Sequence, residues 1–208
     1  MNWFPNYTCM ACGDEIQTST NVYLCPKCMS NLPIMFETQT THYSPFVYKE
    51  PIRNMILSLK YNSNGYIAKA LAPYIAAVYL KQIKPKCDQP PLIIPVPLHR
   101  SRQRERGYNQ SEVLAKEVAD YLNLPVLTNV LIRNKKTIIQ KHMDTATRMK
   151  NMQGAFIIDQ SEKSRIFNQN ILILDDVYTT GTTTNECATV LRANGARNIF
   201  ILTIASVL

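Results

Sequence analysis

The chain has 208 residues, 46% of them hydrophobic, and sets 23 Lys and Arg against 15 Asp and Glu for a net charge of +8. That length holds one α/β domain of ordinary size plus a small appendage, and no apolar run reaches the roughly 18 residues that suggest a membrane span. The opening Met1-Asn2-Trp3-Phe4-Pro5 lacks a basic region followed by an apolar stretch, so no signal peptide is read and the cytoplasm is expected, while the positive charge suits polyanions such as nucleic acid.

Four of the six cysteines fall in two Cys-x-x-Cys pairs, Cys9 with Cys12 and Cys25 with Cys28. Each such turn can place two thiolates on one ion, and two turns close a tetrahedral shell. A structural Zn²⁺ in a small zinc ribbon over residues 1–36 is therefore expected. The competing readings are four free thiols or a redox pair. Against the first, the segment is too short to build its own core; against the second, it lacks a thioredoxin-like βαβ setting. Cys87 and Cys187 read as ordinary reduced thiols. Trp3, Phe4 and Tyr7 either pack the ribbon onto the main domain or offer stacking surfaces.

The main domain is expected over residues 37–208, after a polar connector at 37–41, with a first strand at 43–48. Pro51 suits a first helical position, and Ile52, Met55, Ile56 and Leu59 follow at helical spacing, giving a helix to about Lys60. A turn at 62–65 leads to a second helical stretch at 67–83, where Pro73 is expected to kink or split it. Residues 92–97 read as a strand running into a loop with four arginines, Arg100, Arg102, Arg104 and Arg106. That loop is either an anion site at the end of a core strand or a solvated basic loop. A helix after residue 111 carries Val113, Leu114, Val118, Tyr121 and Leu122 on one side, and Asn109 and Gln110 either line a pocket or cap it. Residues 126–133 are expected to be a strand or an extended segment, and 140–144 to precede a short helix carrying Arg148 and Asn151; His142 is read as a surface histidine. A strand at 154–158, a polar link at 161–169 and a last strand at 199–206 complete the alternation, which argues for a mostly parallel sheet flanked by helices.

Residues 171–174 are four consecutive aliphatics, read as a strand buried on both faces, and Asp175 and Asp176 follow where it is expected to end. Thr179, Thr180, Gly181, Thr182 and Thr183 form a turn into a helix expected at 185–192 and closed by Gly195. Unpaired N–H groups at a helix start, joined by small hydroxyl donors, can wrap a phosphate. Two acids would repel phosphate; vicinal ribose hydroxyls, which donate to carboxylates, are their natural partner. A solvated strand-to-helix turn with an N-cap is the plainer alternative.

This stretch resembles the PRPP-binding motif of type I phosphoribosyltransferases. Taken with the cysteine pairs, Pro95-Val96-Pro97-Leu98-His99, Arg106-Gly107-Tyr108-Asn109-Gln110, and Gln140 with Arg148 and Asn151, the chain resembles the ComF/GntX family of competence-associated phosphoribosyltransferase-like proteins. The resemblance implies a type I phosphoribosyltransferase-like α/β fold and a cytoplasmic protein linked to DNA uptake by natural transformation. It implies Asp175 and Asp176 on the ribose hydroxyls, and Thr179, Thr180, Gly181, Thr182 and Thr183 on the 5′-phosphate of PRPP. Val96, Pro97, Leu98, His99 and Arg100 would face pyrophosphate, with Mg²⁺ carried on the diphosphate. Gln140, Lys141, Arg148 and Asn151 would belong to a loop closing over PRPP. Single-stranded DNA, met by Arg102, Arg104 and Arg106, and other DNA-uptake proteins are the further partners. Two functions follow: a PRPP-binding module of the competence system, or an active phosphoribosyltransferase acting on an unidentified base or amine.

Overall fold

A computed structural model describes residues 7–16, 23–35, 42–61, 65–135 and 152–207. Its centre is a four-stranded sheet in which every pairing is parallel, built from β3 (Phe46–Val47), β4 (Leu92–Pro95), β7 (Ile171–Tyr178) and β8 (Ile199–Ser206) in the order β3-β8-β7-β4. Two short antiparallel ribbons stand beside it: β1 (Tyr7–Thr8) with β2 (Glu15–Ile16), and β5 (Leu131–Arg133) with β6 (Phe156–Ile158). The helices are α1 (Pro26–Ser30), α2 (Ile52–Tyr61), α3 (Gly65–Val78), α4 (Arg100–Arg106), α5 (Gln110–Leu122), α6 (Lys163–Ile166) and α7 (Thr182–Ala193). The sheet is thus mostly parallel and flanked by helices, as the alternation predicts. The boundary expected near residue 37 lies outside the described residues.

Side-chain alternation along the strands explains the layering. Leu172 and Leu174 of β7, with Leu202 and Ile204 of β8, enter one apolar cluster with α2, α3 and α5. Ile171 and Ile173, with Ile201, enter a second cluster with α7, β5 and β6. Because the side-chain period of a strand is two, a continuous aliphatic run is what a sheet covered on both faces requires.

Both outer strands of the sheet are covered. Ile34 bridges Phe46 in an antiparallel sense, supported by Met35 N–H on Pro45 C=O and Val47 N–H on Pro33 C=O, each at 2.8 Å. On the opposite side Ile93 bridges Val126, with Ile93 N–H donating to Pro125 C=O and Leu127 N–H to Ile93 C=O, each at 2.9 Å.

Several local expectations are corrected. The arginine-rich stretch is a helix, not a loop: the His99 imidazole accepts from Ser101 N–H, the left-handed Gly107 closes the far end, and Arg, Gln and Glu between them are good helix formers. Pro73 does not split α3 and lies on its exposed face, where its ring does not displace core packing. The helix instead widens to a π-turn at Tyr79–Ile83 and tightens to a 3₁₀ turn at Lys84–Lys86. Only Leu131–Arg133 of residues 126–133 is a strand, and it pairs antiparallel, away from the main sheet. The link at 161–169 contains α6. The strand bearing the acids runs on through them to Tyr178, and α7 starts at Thr182, three residues earlier than expected. Tyr121 is exposed, not part of the apolar side of α5. Among the described residues no helix is long and apolar enough to cross a membrane.

Candidate functional site

The site arises where the strands of the sheet part. β4 makes its last ladder pairing at Pro95 with Leu174, and Val96 N–H still reaches Leu174 C=O at 3.0 Å before the chain turns away toward α4. β7 continues beside β8 alone, with Asp175 opposite Thr203 and Tyr178 opposite Ser206. Such a parting at the carboxyl ends of parallel strands leaves a crevice. Here it is a cavity of about 440 Å³ with both acids, Val96, Pro97, Leu98 and residues 179–184 in its wall.

The acids differ sharply in their surroundings. Asp176 has its two oxygens engaged by different elements: Lys60 Nζ, at the end of α2, lies 3.0 Å from Oδ1, and Gln110 Nε2, at the start of α5, donates to Oδ2 at 2.9 Å. Asp175 Oδ1 accepts from the Ser111 hydroxyl at 2.8 Å and from Asp176 N–H at 2.9 Å. Burial, then the neighbouring Asp176 charge, push the Asp175 carboxyl up to about 7 against those donors and Lys60. Burial alone would lower the Lys60 ammonium, but its charge attraction and hydrogen bond to Asp176 outweigh this and raise it. Asn109 and Gln110 divide the two roles left open for them. Asn109 caps α5 by accepting from Ser111 N–H and donates to Val96 C=O at 3.0 Å, while Gln110 reaches into the cavity.

At the other end of the cavity the chain turns at Gly181, whose φ of 71° favours glycine. A side-chain Cβ there would meet the Tyr178 hydroxyl and, at 2.9 Å, Asn185 Nδ2. Thr180 and Thr182 share a hydrogen bond at 2.8 Å, Thr184 Oγ1 donates to Gly181 C=O at 3.1 Å, and α7 begins on this turn. Tyr178 is held from behind by the buried His42 ring, stacked at 3.5 Å between centroids and 7° from parallel, whose Nε2 shares a hydrogen bond with Ser206 Oγ. Burial lowers the pKa of His42, favouring the neutral ring against the phenol.

The arginines separate by helix face. Arg102 and Arg106 line the cavity together with Arg133, whereas Arg100 and Arg104 lie with Gln103 around a separate shallow depression. His99 serves as the helix cap. Burial and then the Arg102 charge lower the Arg133 guanidinium, a repulsion that a bound anion would relieve. Gln140, Lys141, Arg148 and Asn151 lie outside the described residues. Lys60, Ser111 and Arg133 are site residues that the sequence reading does not single out.

The four N-terminal cysteines come together as their spacing predicts: the Sγ atoms of Cys9, Cys12, Cys25 and Cys28 all lie within 4.8 Å of one another, with Cys12 and Cys25 at 3.9 Å. Zinc–thiolate bonds of about 2.3 Å in a tetrahedron put sulfurs about 3.8 Å apart, so the set fits Zn²⁺. Backbone N–H groups already point at the sulfurs, Cys25 N–H to Cys9 Sγ at 3.3 Å and Cys28 N–H to Cys25 Sγ at 3.4 Å. Burial opposes ionisation of Cys9, but the N–H donors of Cys25, Cys12 and Ala11 bring it down to about 6, whereas burial and the neighbouring cysteines push Cys28 up, a rise that a bound dication would offset. Purified protein is expected to carry about one zinc per chain by elemental analysis, and Cys12→Ser to lose it. Reduced wild-type protein without metal would refute a four-thiolate centre.

Comparison with known proteins places these features in context. Competence protein F of Haemophilus influenzae is 32% identical over 193 residues, covering 92% of this chain and 81% of that protein. DNA utilization protein YhgH of Escherichia coli strain K12 is 29% identical, covering 90% and 79% respectively. Competence protein ComFC of Bacillus subtilis is 25% identical, covering 73% and 58%. No protein-family model matches the chain. Among solved structures, the glutamine PRPP amidotransferase from B. subtilis matches with 17% identity and a TM-score of 0.44, covering 70% of this chain, which spans only 30% of that one. Adenine phosphoribosyltransferase from Leishmania tarentolae matches with 16% identity and a TM-score of 0.39, covering 66% and 56%. With identity of 32% sustained over nearly the whole of this chain and four-fifths of its Haemophilus relative, the chain belongs to the competence protein F family.

Proposed function

We propose that the protein binds PRPP in this cavity and works in the cytoplasm in the handling of DNA taken up during natural transformation. The observation that carries the reading is one cavity in which two adjacent acids meet a Thr/Gly helix start and cations from three other segments. The 5′-phosphate takes the N–H and hydroxyl groups of residues 179–183, and the ribose hydroxyls donate to Asp175 and Asp176. The diphosphate lies along Val96, Pro97 and Leu98 with Arg102 for charge. Lys60 already sits 3.0 Å from Asp176 Oδ1, so Mg²⁺ is expected to be held by diphosphate oxygens in place of that carboxylate. Supporting the wider role are the names of the relatives, competence protein F and DNA utilization protein YhgH. Described cysteines without disulfides are ordinary in a reducing compartment.

Calorimetric titration with PRPP and Mg²⁺ tests the reading, and a wild-type protein indifferent to millimolar PRPP overturns it. Arg102→Ala is expected to weaken PRPP more than ribose 5-phosphate, since only PRPP has the diphosphate. Single-stranded DNA is assigned to the outer face of α4, where Arg100 and Arg104 lie apart from the cavity. Replacing both with Ala is expected to reduce the slope of log affinity against log salt by about 0.7 for each phosphate that the variant no longer neutralises. An unchanged slope removes that face from the interface.

A further inference from the structure

Three cross-links converge on the last turn of α2. The Tyr108 hydroxyl donates to Leu59 C=O, Lys60 Nζ lies 3.0 Å from Asp176, and the Arg106 guanidinium sits 5.0 Å over the Tyr61 ring centroid. Arg106 also donates to Gln110 Oε1 at 3.0 Å, and Gln110 donates to Asp176 at 2.9 Å. The Tyr61 ring is therefore joined to the acid pair by a short path of side chains that does not pass through the phosphate turn. Tyr61 is nonetheless 65% exposed and lines the cavity.

A single exposed aromatic residue is unremarkable on a protein surface. Tyr66 and Tyr121 are 60% and 61% exposed and stand away from the cavity wall, and they call for no explanation. Tyr61 differs in that it lines the cavity and its helix end is pinned in place, while Arg106 sits over its ring as Lys69 sits over that of Tyr66. Leu57, one helical turn earlier, and Leu98, from the connection after β4, add apolar surface to the same cavity. The acids, the Thr/Gly turn and Val96 to Leu98 account for a sugar phosphate and its diphosphate but leave Tyr61 and Leu57 without a ligand group.

We propose that Tyr61, with Leu57 one turn earlier on the same cavity wall, forms a base subsite in which a planar heteroaromatic ring stacks on the tyrosine. The inference rests on the ribose-phosphate reading of the acids and the Thr/Gly turn. The ribose diol adjoins the anomeric carbon, so a ring attached or about to be attached there lies next to the acids, where Lys60 and Tyr61 meet the cavity. The stack needs only a π face, so it admits purines and pyrimidines alike, while the ribose and phosphate contacts fix the orientation. The ring is supplied either as the base of a 5′-nucleotide or as a free base entering beside a bound sugar phosphate.

The test uses 2-aminopurine, whose fluorescence falls on stacking, as its riboside 5′-monophosphate and as the free base with ribose 5-phosphate present. Wild-type protein is expected to quench at least one of these, with PRPP displacing the nucleotide. Quenching of the nucleotide alone identifies a base already joined to ribose, and quenching of the free base identifies an incoming one. Tyr61→Leu is expected to lose the quenching and to weaken the nucleotide about tenfold more than it weakens PRPP, as loss of one base stack implies. Tyr61→Phe, which keeps the ring, restores the quenching. The proposal is overturned if Tyr61→Leu binds and quenches like wild type, or if protein that binds PRPP by calorimetry quenches neither probe. Failure to bind PRPP at all instead overturns the ribose-phosphate reading on which the subsite stands.

Discussion

The Lys60→Met variant is expected to lose roughly 3 kcal/mol of unfolding stability at neutral pH, because it strands the Asp176 carboxylate among buried neighbours. The side chains are 20% exposed for Lys60 and 8% for Asp176, which places the loss at the lower end of what breaking a buried pair costs. For a chain of 208 residues that is a fall of roughly 6–12 °C in melting temperature. Adding Asp176→Asn to Lys60→Met removes the stranded charge while Gln110 keeps a partner, so most of the stability should return, yet PRPP binding should stay weak for want of a charged acceptor. The pairing raises the Lys60 ammonium above its usual range, so its contribution is complete at neutral pH and fades only as pH rises above about 10. Melting of Lys60→Met within a degree or so of wild type would show that the pair contributes nothing.

The second large effect is on pH dependence. With its carboxyl pushed up to about 7, Asp175 passes from mostly protonated to mostly ionised as pH rises through that value. Ribose hydroxyls donate better to a carboxylate than to a neutral acid, so PRPP affinity should rise by about tenfold across that transition, with a proton released on binding near pH 6. The folded state holds its proton up to a higher pH than the unfolded chain does. Stability from this group is therefore fullest in acid and declines as pH climbs from about 4 through 7. Asp175→Asn should remove this slope from the melting curve and this proton from the calorimetry, leaving only the titration of the PRPP phosphates. Equal proton release by wild type and Asp175→Asn would assign the whole pH effect to the ligand.

What is legible in the sequence is whatever depends on near neighbours. An aliphatic run, two acids and a Thr/Gly turn identify their own strand, crevice and helix, and paired cysteines identify their cluster. The contacts that tune the acids are hidden for a physical reason. Lys60 sits in the last turn of an amphipathic helix whose period explains Leu59 but says nothing of a residue on β7, far along the chain. Gln110 sits under a capping signal that the adjacent Asn109 carries alone. The arginine run reads as a loop because it lacks an apolar stripe, the usual sign of a helix. Its helicity comes from propensity and caps, and only the folded helix divides Arg102 and Arg106 from Arg100 and Arg104. Arg133 belongs to no motif at all; the β5-β6 ribbon brings it to the cavity.

The bridges flanking the main sheet bear on how the protein behaves when crowded. A parallel sheet with open sides offers rows of unused amide groups that another chain can extend into a growing aggregate. Here the segment leading from the cysteine cluster lies along β3, and the stretch containing Pro125 and Val126 lies along β4. Losing the cysteine cluster would loosen the first of these guards, and it would also disturb the apolar cluster that Cys9, Cys25 and Cys28 share with β7 and β8. Damage at the N-terminal end should therefore show itself as self-association at high protein concentration together with a lower melting temperature.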